Sequence, residues 1–335
     1  MKLKNGKASM ASTNKSTAPA KLAKKSSKSS AGSSKSSASL NAKFPTLKLS
    51  AGSHVALVYR GHTEKAMAAA KEVVPWLAER GFHVWTAPDQ KVLSGTKQIK
   101  SDAELEKIAL VIVLGGDGTY LRAVRLFNGR QTPIVAFNMG SLGFLTIHSG
   151  DEIQTVLEDV LASRMNLCPR SMLLAEIYRR DKLLGSFHAL NDIVIERGSY
   201  SQLINTAIYQ GSFLVNEVKA DGIIISSPTG STAYNLAAGG PIMDPDVKAI
   251  VITPVAPHSL TSRPLILPED KDLSFKLEGM GQKAHFVVDG QKQMEIAQND
   301  VVRIRKSPYD HLVVRSPSHN YFRLLRDKLK FGDRN

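Results

Sequence analysis

The chain has 335 residues, contains 44 Lys and Arg against 30 Asp and Glu, and has one cysteine, Cys168. The length leaves room for about two domains, and a single cysteine excludes an intramolecular disulfide. The formal charge of +14 would be typical of a nucleic-acid binder, but residues 1–50 contain eleven lysines and no acidic residue. The other 285 residues carry only +3, which excludes a strongly basic surface on the folded body.

The first 48 residues consist mainly of Lys, Ser and Ala. Such a segment cannot bury enough apolar surface to offset the entropy of ordering, so we expect a disordered leader. It lacks the apolar run of a signal peptide and the arginines of a mitochondrial transit peptide, and no run in the chain approaches the roughly 20 residues of a membrane span. We therefore predict a cytoplasmic protein without membrane contact, whose leader binds polyanions weakly. A specific nucleic-acid or membrane-surface role for the leader, and a start at Met10, stay open.

An alternation of strand and helix patterns begins at His54. The helical spacing of residues 62–81 predicts a helix that Gly81 ends in a left-handed conformation, and Pro75 is expected to bend it or to end a first segment at Val74. Strands that alternate with helices predict a parallel sheet with both faces covered. The strands are expected at 54–60, 82–87, 109–114 and 132–140, and a second helix at 119–129.

The pattern changes after a predicted helix at 151–163. Short alternating runs joined by turns follow, and they predict antiparallel sheet. The fold class is therefore α/β plus a β-rich second domain. The predicted organisation is a leader at 1–48, an α/β domain at 49–150, a β-rich domain at 151–315 and a carboxyl-terminal segment at 316–335 that packs back on the body.

The most unusual turn is "GGDGT" at 115–119, directly after the apolar run of the third strand. In a parallel sheet, ligands bind beyond the carboxyl ends of the strands, where a second glycine-rich turn, 140–144, is also expected. Glycines without Cβ atoms let backbone amides approach phosphate oxygens closely, and the positive end of a following helix favours anions. We expect Thr119 to cap that helix. Helix capping and phosphate binding use the same amides, so the two interpretations are compatible.

Four further segments point to one family: "NMGSLGFLT" at 138–146, "ALND" at 189–192, "DGIIISSPTGSTAYNLAAGGPI" at 221–242 and "PHSLTSRPL" at 257–265. Diacylglycerol kinases, sphingosine kinases and 6-phosphofructokinases share a glycine–aspartate turn like 115–119. With the other four segments in this order, the chain from about residue 54 resembles the ATP-dependent NAD kinases. The resemblance implies a two-domain NAD kinase-like fold and the reaction ATP + NAD⁺ → ADP + NADP⁺. It also implies Mg²⁺ or another divalent cation with ATP, and a homodimer or homotetramer.

The resemblance also implies residue roles. Asp117 is the general base at the 2′-hydroxyl of the adenosine ribose, and the 151–315 domain binds NAD⁺. Many members have glutamate at the position of Asp192 and serine at that of Ala237. The binding residues implied are Gly115, Gly116, Gly118, Thr119, Leu142, Phe144, Asn191, Asp192, Lys219, Asp221, Thr229, Thr232, Ala233 and Tyr234. Lys219 either serves a phosphate or is simply solvated.

Other readings of single residues and of the whole chain stay open. We expect His258 to orient a turn rather than to act in catalysis, and Asp289 in "VVDGQ" to serve a turn or a function with equal weight. No metal-ligand cluster is predicted. A lipid kinase built on the same turn and a non-catalytic nicotinamide-nucleotide sensor are the alternative functions. NADH as acceptor, polyphosphate as donor and feedback by NADPH or NADH are also open.

Overall fold

The computed structural model describes residues 44–198 and 202–330. The predicted leader lies outside these residues up to position 43. Its last five residues belong to the folded part: the Leu47 amide donates to the Met165 carbonyl at 2.9 Å, and Thr46 bridges to Asn166. The leader prediction was wrong for residues 44–48 because the Leu47 side chain is buried in the apolar core beside Met165.

Residues 54–161 alternate between strands and helices, as the pattern predicted. A short 3₁₀ helix, Gly150–Glu152, precedes the last helix. The elements are β1 (His54–Tyr59), α1 (Glu64–Glu79), β2 (His83–Thr86), β3 (Lys97–Gln98), α2 (Asp102–Leu105), β4 (Ile108–Gly115), α3 (Asp117–Phe127), β5 (Ile134–Asn138), β6 (His148–Ser149) and α4 (Ile153–Leu161).

The rest of the described chain is mainly strand. A 3₁₀ turn, Thr229–Thr232, precedes the short helix α5. The elements are β7 (Asn166–Arg170), β8 (Leu173–Arg179), β9 (Lys182–Ala189), β10 (Asp192–Arg197), β11 (Ile204–Gln210), β12 (Phe213–Ala220), β13 (Gly222–Ser226), α5 (Tyr234–Ala237), β14 (Ala249–Val255), β15 (Leu265–Pro268), β16 (Leu273–Leu277), β17 (Lys283–Val288), β18 (Gln291–Ala297), β19 (Asp300–Lys306), β20 (His311–Arg315) and α6 (Tyr321–Leu329).

The first layer is a mostly parallel sheet. Among the described residues its strand order is β3-β2-β1-β4-β5-β20-β7, with β6 beside β5. All of these pairs are parallel except β20 with β7. Strands β7 and β20 come from the 151–315 region, so the chain returns to the first sheet after the β-rich part. The domain limits themselves stay a prediction.

Strand β4 is buried on both faces, as its continuous apolar run predicted. Leu110, Ile112 and Leu114 belong to the core that α1 and α4 cover. Val111 and Val113 point to the opposite side and pack in the core that α3 covers. This alternation confirms helices on both faces of the sheet and places the end of β4, with the glycine turn after it, at the carboxyl edge.

Two antiparallel sheets form the second part. Their strand orders in the described residues are β15-β14-β13-β10-β17-β18 and β12-β11-β16-β19-β8-β9. Their inner faces share one apolar core, in which Ile193 and Phe286 of the first sheet pack with Phe275 and Ile304 of the second. The fold class predicted from the sequence is therefore confirmed.

At Pro75, one of the two predicted outcomes is excluded. Helix α1 does not end at Val74 but continues through Pro75 to Glu79, because Val73, Val74 and Leu77 keep the same buried face across the proline. Gly81 has φ +80°, which confirms the left-handed residue expected after the helix. None of the helices in the described part of the chain is long and apolar enough to span a membrane.

Candidate active site

Asp117 is the first residue of α3, immediately after the carboxyl end of β4 and the extended residue Gly116. Its carboxylate faces the second glycine-rich turn. Oδ2 accepts the Phe144 amide at 2.9 Å, and Oδ1 accepts the amides of Leu145 at 3.1 Å and Thr146 at 3.0 Å. The Thr146 hydroxyl donates to Oδ1 as well, at 3.0 Å. The two glycine-rich turns predicted at one edge of the sheet are thus joined through this carboxylate.

The 115–119 turn is packed on one side and open on the other. A Cβ on Gly115 would overlap the side chain of Thr119, whereas one on Gly116 or Gly118 would meet no atom within 4 Å. The amides of Thr119 and Tyr120 donate to the Gly116 carbonyl at 2.9 and 3.1 Å. The amides of Asp117 and Gly118 precede the first intrahelical acceptor, so they are available to an anion on the open side. The prediction that Thr119 caps α3 was wrong, because the helix begins at Asp117 and Gly116 occupies the N-cap position.

Asn191 and Asp192 lie where the chain passes from β9 to β10, and both are buried. Their backbone is held by Asp289, which accepts the amides of Leu190, Asn191 and Asp192 at 3.0, 2.7 and 3.1 Å. The Asp289 amide donates in return to the Asp192 carbonyl at 3.0 Å. The sequence favours a turn and a function equally for Asp289. The residue forms the β17–β18 turn and also contacts the predicted binding pair, so the two interpretations are compatible.

The two carboxylates of this region affect each other. Burial, together with the nearby Asp289 carboxylate, raises the pKa of Asp192 to about 7. Burial also raises the pKa of Asp289, against the opposing effects of its three backbone hydrogen bonds and of Arg125 on α3. Asp192 can therefore change its protonation state near neutral pH, unlike an exposed aspartate.

The 229–234 segment packs directly on the Asn191 backbone. A Cβ on Gly230 would overlap the carbonyl group of Asn191, and the Ser227 amide donates to the same carbonyl oxygen at 2.9 Å. Thr229 and Thr232 line a small cavity of about 40 Å³ with Phe144. Thr229 Oγ1 is buried and finds no hydrogen-bond partner among the described residues. The structure thus brings the predicted residues of three separate motifs together.

Asp221 and Tyr234 line a separate open cavity of about 290 Å³ beside Glu196 and Arg197. Arg197 Nε pairs with Asp221 Oδ1 at 2.6 Å. The pKa of Tyr234 is raised by burial first and then by the charges of Glu196, Asp192 and Asp221. Tyr234, which is 43% exposed, therefore lines the Asp221 cavity and is also affected by the Asp192 charge.

The remaining residues named from the sequence lie at different places in the structure. Lys219 is exposed on β12, and its carbonyl accepts the amide of the exposed His258 at 2.9 Å. Leu142 and Ala233 are half-buried. Cys168 is fully buried beside Arg315, and burial raises the pKa of its thiol, as expected for a core cysteine rather than a nucleophile.

Two residues around the site were missed in the sequence. Gly143 was quoted only within its motif, yet a Cβ there would overlap Asp117 Oδ1. Asn235 was also passed over, although its fully buried amide donates to the carbonyls of Ser231 and Pro241 at 3.0 Å each. The sequence did contain a signal for both, since each stands beside a predicted residue in a glycine-rich segment. The residues that they contact could not be deduced from the sequence.

Comparison with known proteins covers both parts of the chain. The ATP-NAD kinase N-terminal domain matches residues 55–165, and the ATP-NAD kinase C-terminal domain matches residues 190–316. The NAD kinase of Bdellovibrio bacteriovorus is 60% identical over 289 residues, which cover 86% of this chain and 95% of that protein. The NAD kinase of Geobacter sp. (strain M21) is 39% identical over 285 residues, with coverage of 84% and 99%.

Solved structures agree with this result. Yeast NADH kinase, in complex with NADH, gives a TM-score of 0.78 at 28% identity and covers 85% of this chain and 89% of its own. An NAD kinase from Archaeoglobus fulgidus, in complex with ATP, gives 0.63 at 24% identity, with coverage of 83% and 98%, and supports the fold. Neither a lipid kinase nor a non-catalytic sensor is supported by these matches. The chain belongs to the NAD kinase family and is an NAD⁺ kinase.

Proposed function

We propose that Asp117 is the residue that orients the 2′-hydroxyl of the adenosine ribose of NAD⁺ and accepts its proton. The observation that carries this proposal is the unequal use of the two carboxylate oxygens. Oδ1 accepts three hydrogen bonds, whereas within the described part of the chain Oδ2 accepts only the Phe144 amide. Oδ2 therefore keeps more acceptor capacity for the ribose hydroxyl than Oδ1 does.

With the 2′-hydroxyl oriented by Asp117, the reaction is an in-line phosphoryl transfer. The 2′-oxygen forms a bond to the γ-phosphorus of ATP, the bond from that phosphorus to the ADP oxygen breaks, and the hydroxyl proton passes to Asp117 Oδ2. Phosphoryl transfer depends mainly on in-line positioning and charge stabilisation, with proton transfer late. The four hydrogen bonds to Asp117 supply positioning, and the absence of any atom within 4 Å of a Cβ on Gly116 or Gly118 leaves room for phosphates beside the turn.

For the nucleotide, we assign the NAD⁺ pocket to the residues named from the family resemblance, with Asn191 and Asp192 on the ribose hydroxyls. Tyr234 presents a half-exposed ring suited to stacking on a planar base. Phe144, Thr229 and Thr232 form one wall, since they line the same cavity. The roles of Leu142, Lys219, Asp221 and Ala233 are part of the same proposal.

We assign the divalent cation to the ATP phosphates. Within residues 44–198 and 202–330, no three His, Cys, Asp or Glu side chains lie together as a protein-built metal site would require. Mg²⁺ with nucleotides is commonly held by phosphates and water with few protein ligands, so the lack of such a cluster among the described residues is compatible with it. When bound, the cation neutralises charge on the transferring phosphoryl group.

The assembly and the location belong to the same proposal. A homodimer or homotetramer follows from the family resemblance, and sedimentation of the purified protein measures it directly. A cytoplasmic location and weak polyanion binding by the leader rest on the sequence alone. A salt titration of polyanion binding by the whole chain and by a chain that begins at residue 44 tests the leader.

The experiment that tests Asp117 is NADP⁺ formation from NAD⁺ and MgATP by wild type and Asp117→Asn. General acid–base groups typically contribute about 10²- to 10⁴-fold, so we expect kcat to fall by that order. Asp102→Asn is the matched control, because Asp102 is also the first residue of a helix but its side chain is exposed. Wild-type kcat in a folded Asp117→Asn protein would remove Asp117 as the base and leave the kinase activity in place.

A further inference from the structure

Asp289 connects three parts of the fold from a single buried position. It lies in the turn between β17 and β18 and is 5% exposed. Its two oxygens accept three consecutive amides, of Leu190, Asn191 and Asp192, from the β9–β10 connection. That connection carries both members of the predicted nucleotide-binding pair. A single carboxylate therefore sets the backbone from which the Asn191 and Asp192 side chains project.

The backbone of the turn restricts which residue can do this. Asp289 has φ +46° and Gly290 has φ +72°, the left-handed pair of a two-residue hairpin turn. Asp and Asn tolerate this conformation better than other residues with side chains. Only the aspartate has two acceptor oxygens, because the amide nitrogen of asparagine would face a backbone N–H. The position needs both the turn conformation and the second acceptor.

The third connection runs to the helix that begins at Asp117. Arg125, two turns along α3, interacts electrostatically with Asp289, and this interaction favours the charged forms of both groups. Leu190 packs in the same apolar core as Tyr120 and Val124 of α3. The predicted base and the predicted binding pair are thus attached to elements that share one apolar core.

We propose that Asp289 is a positioning residue for NAD⁺, which holds Asn191 and Asp192 in register with the helix of Asp117. This inference rests on the proposed role of Asn191 and Asp192 in binding NAD⁺. The Asp289 charge has a second effect, since it raises the pKa of Asp192. The groups around this pair are Arg125, which faces Asp289 from α3, and Tyr234, which faces Asp192 from α5. Glu196 and Asp221 line a cavity with Tyr234, and their charges also raise its pKa.

The first test is steady-state kinetics of Asp289→Asn, which keeps the turn conformation and loses the second acceptor. We expect the KM for NAD⁺ to rise about 10- to 100-fold, as for the loss of a hydrogen bond to a charged group. The KM for ATP should change less than twofold. Asp181→Asn is the matched control, because Asp181 also lies at positive φ in a hairpin turn, between β8 and β9, but is exposed. It should behave as wild type.

The second readout is the pH profile of kcat/KM for NAD⁺. An ionised Asp192 accepts hydrogen bonds from ribose hydroxyls, so the wild-type value should rise with pH around a midpoint of about 7. Without the Asp289 charge the midpoint should move to lower pH. An equal rise of both KM values with an unmoved midpoint would reduce Asp289 to a structural residue and overturn the proposal, as would wild-type kinetics in a folded variant.

Two further measurements distinguish a failure of the proposed binding role of Asn191 and Asp192 from a failure of the role of Asp289. If Asn191→Ala and Asp192→Ala leave the KM for NAD⁺ unchanged, the proposed binding role fails, whatever Asp289 does. If Asp289→Asn does not fold, hydrogen exchange of the wild-type protein tests whether Asp289 holds the backbone of 190–192. The amides of 190–192 should then exchange as slowly as those of residues 193–197 in β10, because each donates to the buried carboxylate. Fast exchange at these amides contradicts the proposal.

Discussion

Gly143 leaves the space that the carboxylate of Asp117 occupies. A Cβ at Gly143 would overlap Asp117 Oδ1 and also the hydroxyl oxygen of Thr146, which donates to it. The close approach allows the amides of Phe144, Leu145 and Thr146 to reach the carboxylate together. The second glycine-rich turn therefore acts through the shape of the Asp117 environment, even where its own residues do not contact the substrate.

Gly143→Ala should lower the kinase rate without unfolding the protein. The added methyl group must displace the Asp117 carboxylate or the turn, and misplacement by about 1 Å can cost about 10²-fold in rate. We expect kcat for NADP⁺ formation to fall by that order while the circular dichroism spectrum is unchanged. Gly61→Ala is the control, since a Cβ there meets no atom within 4 Å. Equal rates for the two variants would contradict the steric argument.

Asn235→Ala should destabilise the segment that carries Tyr234. The Asn235 amide donates to the carbonyls of Ser231 and Pro241, and its oxygen accepts the Thr253 hydroxyl at 2.6 Å. Removing it leaves buried groups without partners, at a cost of about 1–3 kcal/mol for each group that stays unsatisfied. Urea denaturation measures the loss in the free energy of unfolding. The exposed Asn216→Ala should change this free energy by less than about 0.5 kcal/mol.

The sequence predicted what depends on local pattern. Strand β4, the turn at 115–119 and the alternation of helices and strands follow from the spacing of apolar residues and glycines over fewer than 20 positions. The family resemblance then indicated Asp117 and the pair Asn191–Asp192. These predictions concern which residues are present, and they required no knowledge of how distant segments meet.

The contacts that fix the site depend on distant segments. Asp117 meets amides 27 to 29 positions away, and Asp289 meets amides 97 to 99 positions away. An aspartate followed by glycine has the same local signal whether its carboxylate is solvated or buried. The prediction for Thr119 failed at the local level. Its hydroxyl is of the kind that caps a helix, but the helix begins at Asp117, so Thr119 lies inside its first turn.

Tyr120→Phe should destabilise the layer under the 115–119 turn. The Tyr120 hydroxyl and His311 Nε2 form a fully buried hydrogen bond of 2.7 Å between α3 and β20. Burial and the nearby Arg170 lower the pKa of His311 to about 3, so the ring is neutral at working pH. The variant leaves that nitrogen without its partner, and we expect a loss of about 1–3 kcal/mol in urea denaturation at pH 7. The exposed Tyr309→Phe serves as the control, and equal midpoints for both variants would contradict the assignment.

Asp192→Asn should change how stability depends on pH. Burial and Asp289 raise the pKa of Asp192 from 3.8 to about 7, so between these values the folded protein holds a proton that the unfolded chain has lost. Folding is then favoured at low pH, and the free energy of unfolding falls as pH rises through this window. The slope from one such group is about 1.4 kcal/mol per pH unit.

The variant cannot titrate at this position and should lack that part of the decline. Relative to Asp192→Asn, wild type should lose stability from pH 5 to pH 7 and then level off above about pH 8, where both states are ionised. Urea denaturation at pH 5, 6, 7 and 8 gives the comparison, with Asp181→Asn as an exposed control that should follow wild type. Parallel curves for wild type and Asp192→Asn would mean that Asp192 is ionised throughout. In that case its carboxylate would meet NAD⁺ in the same state at every pH tested.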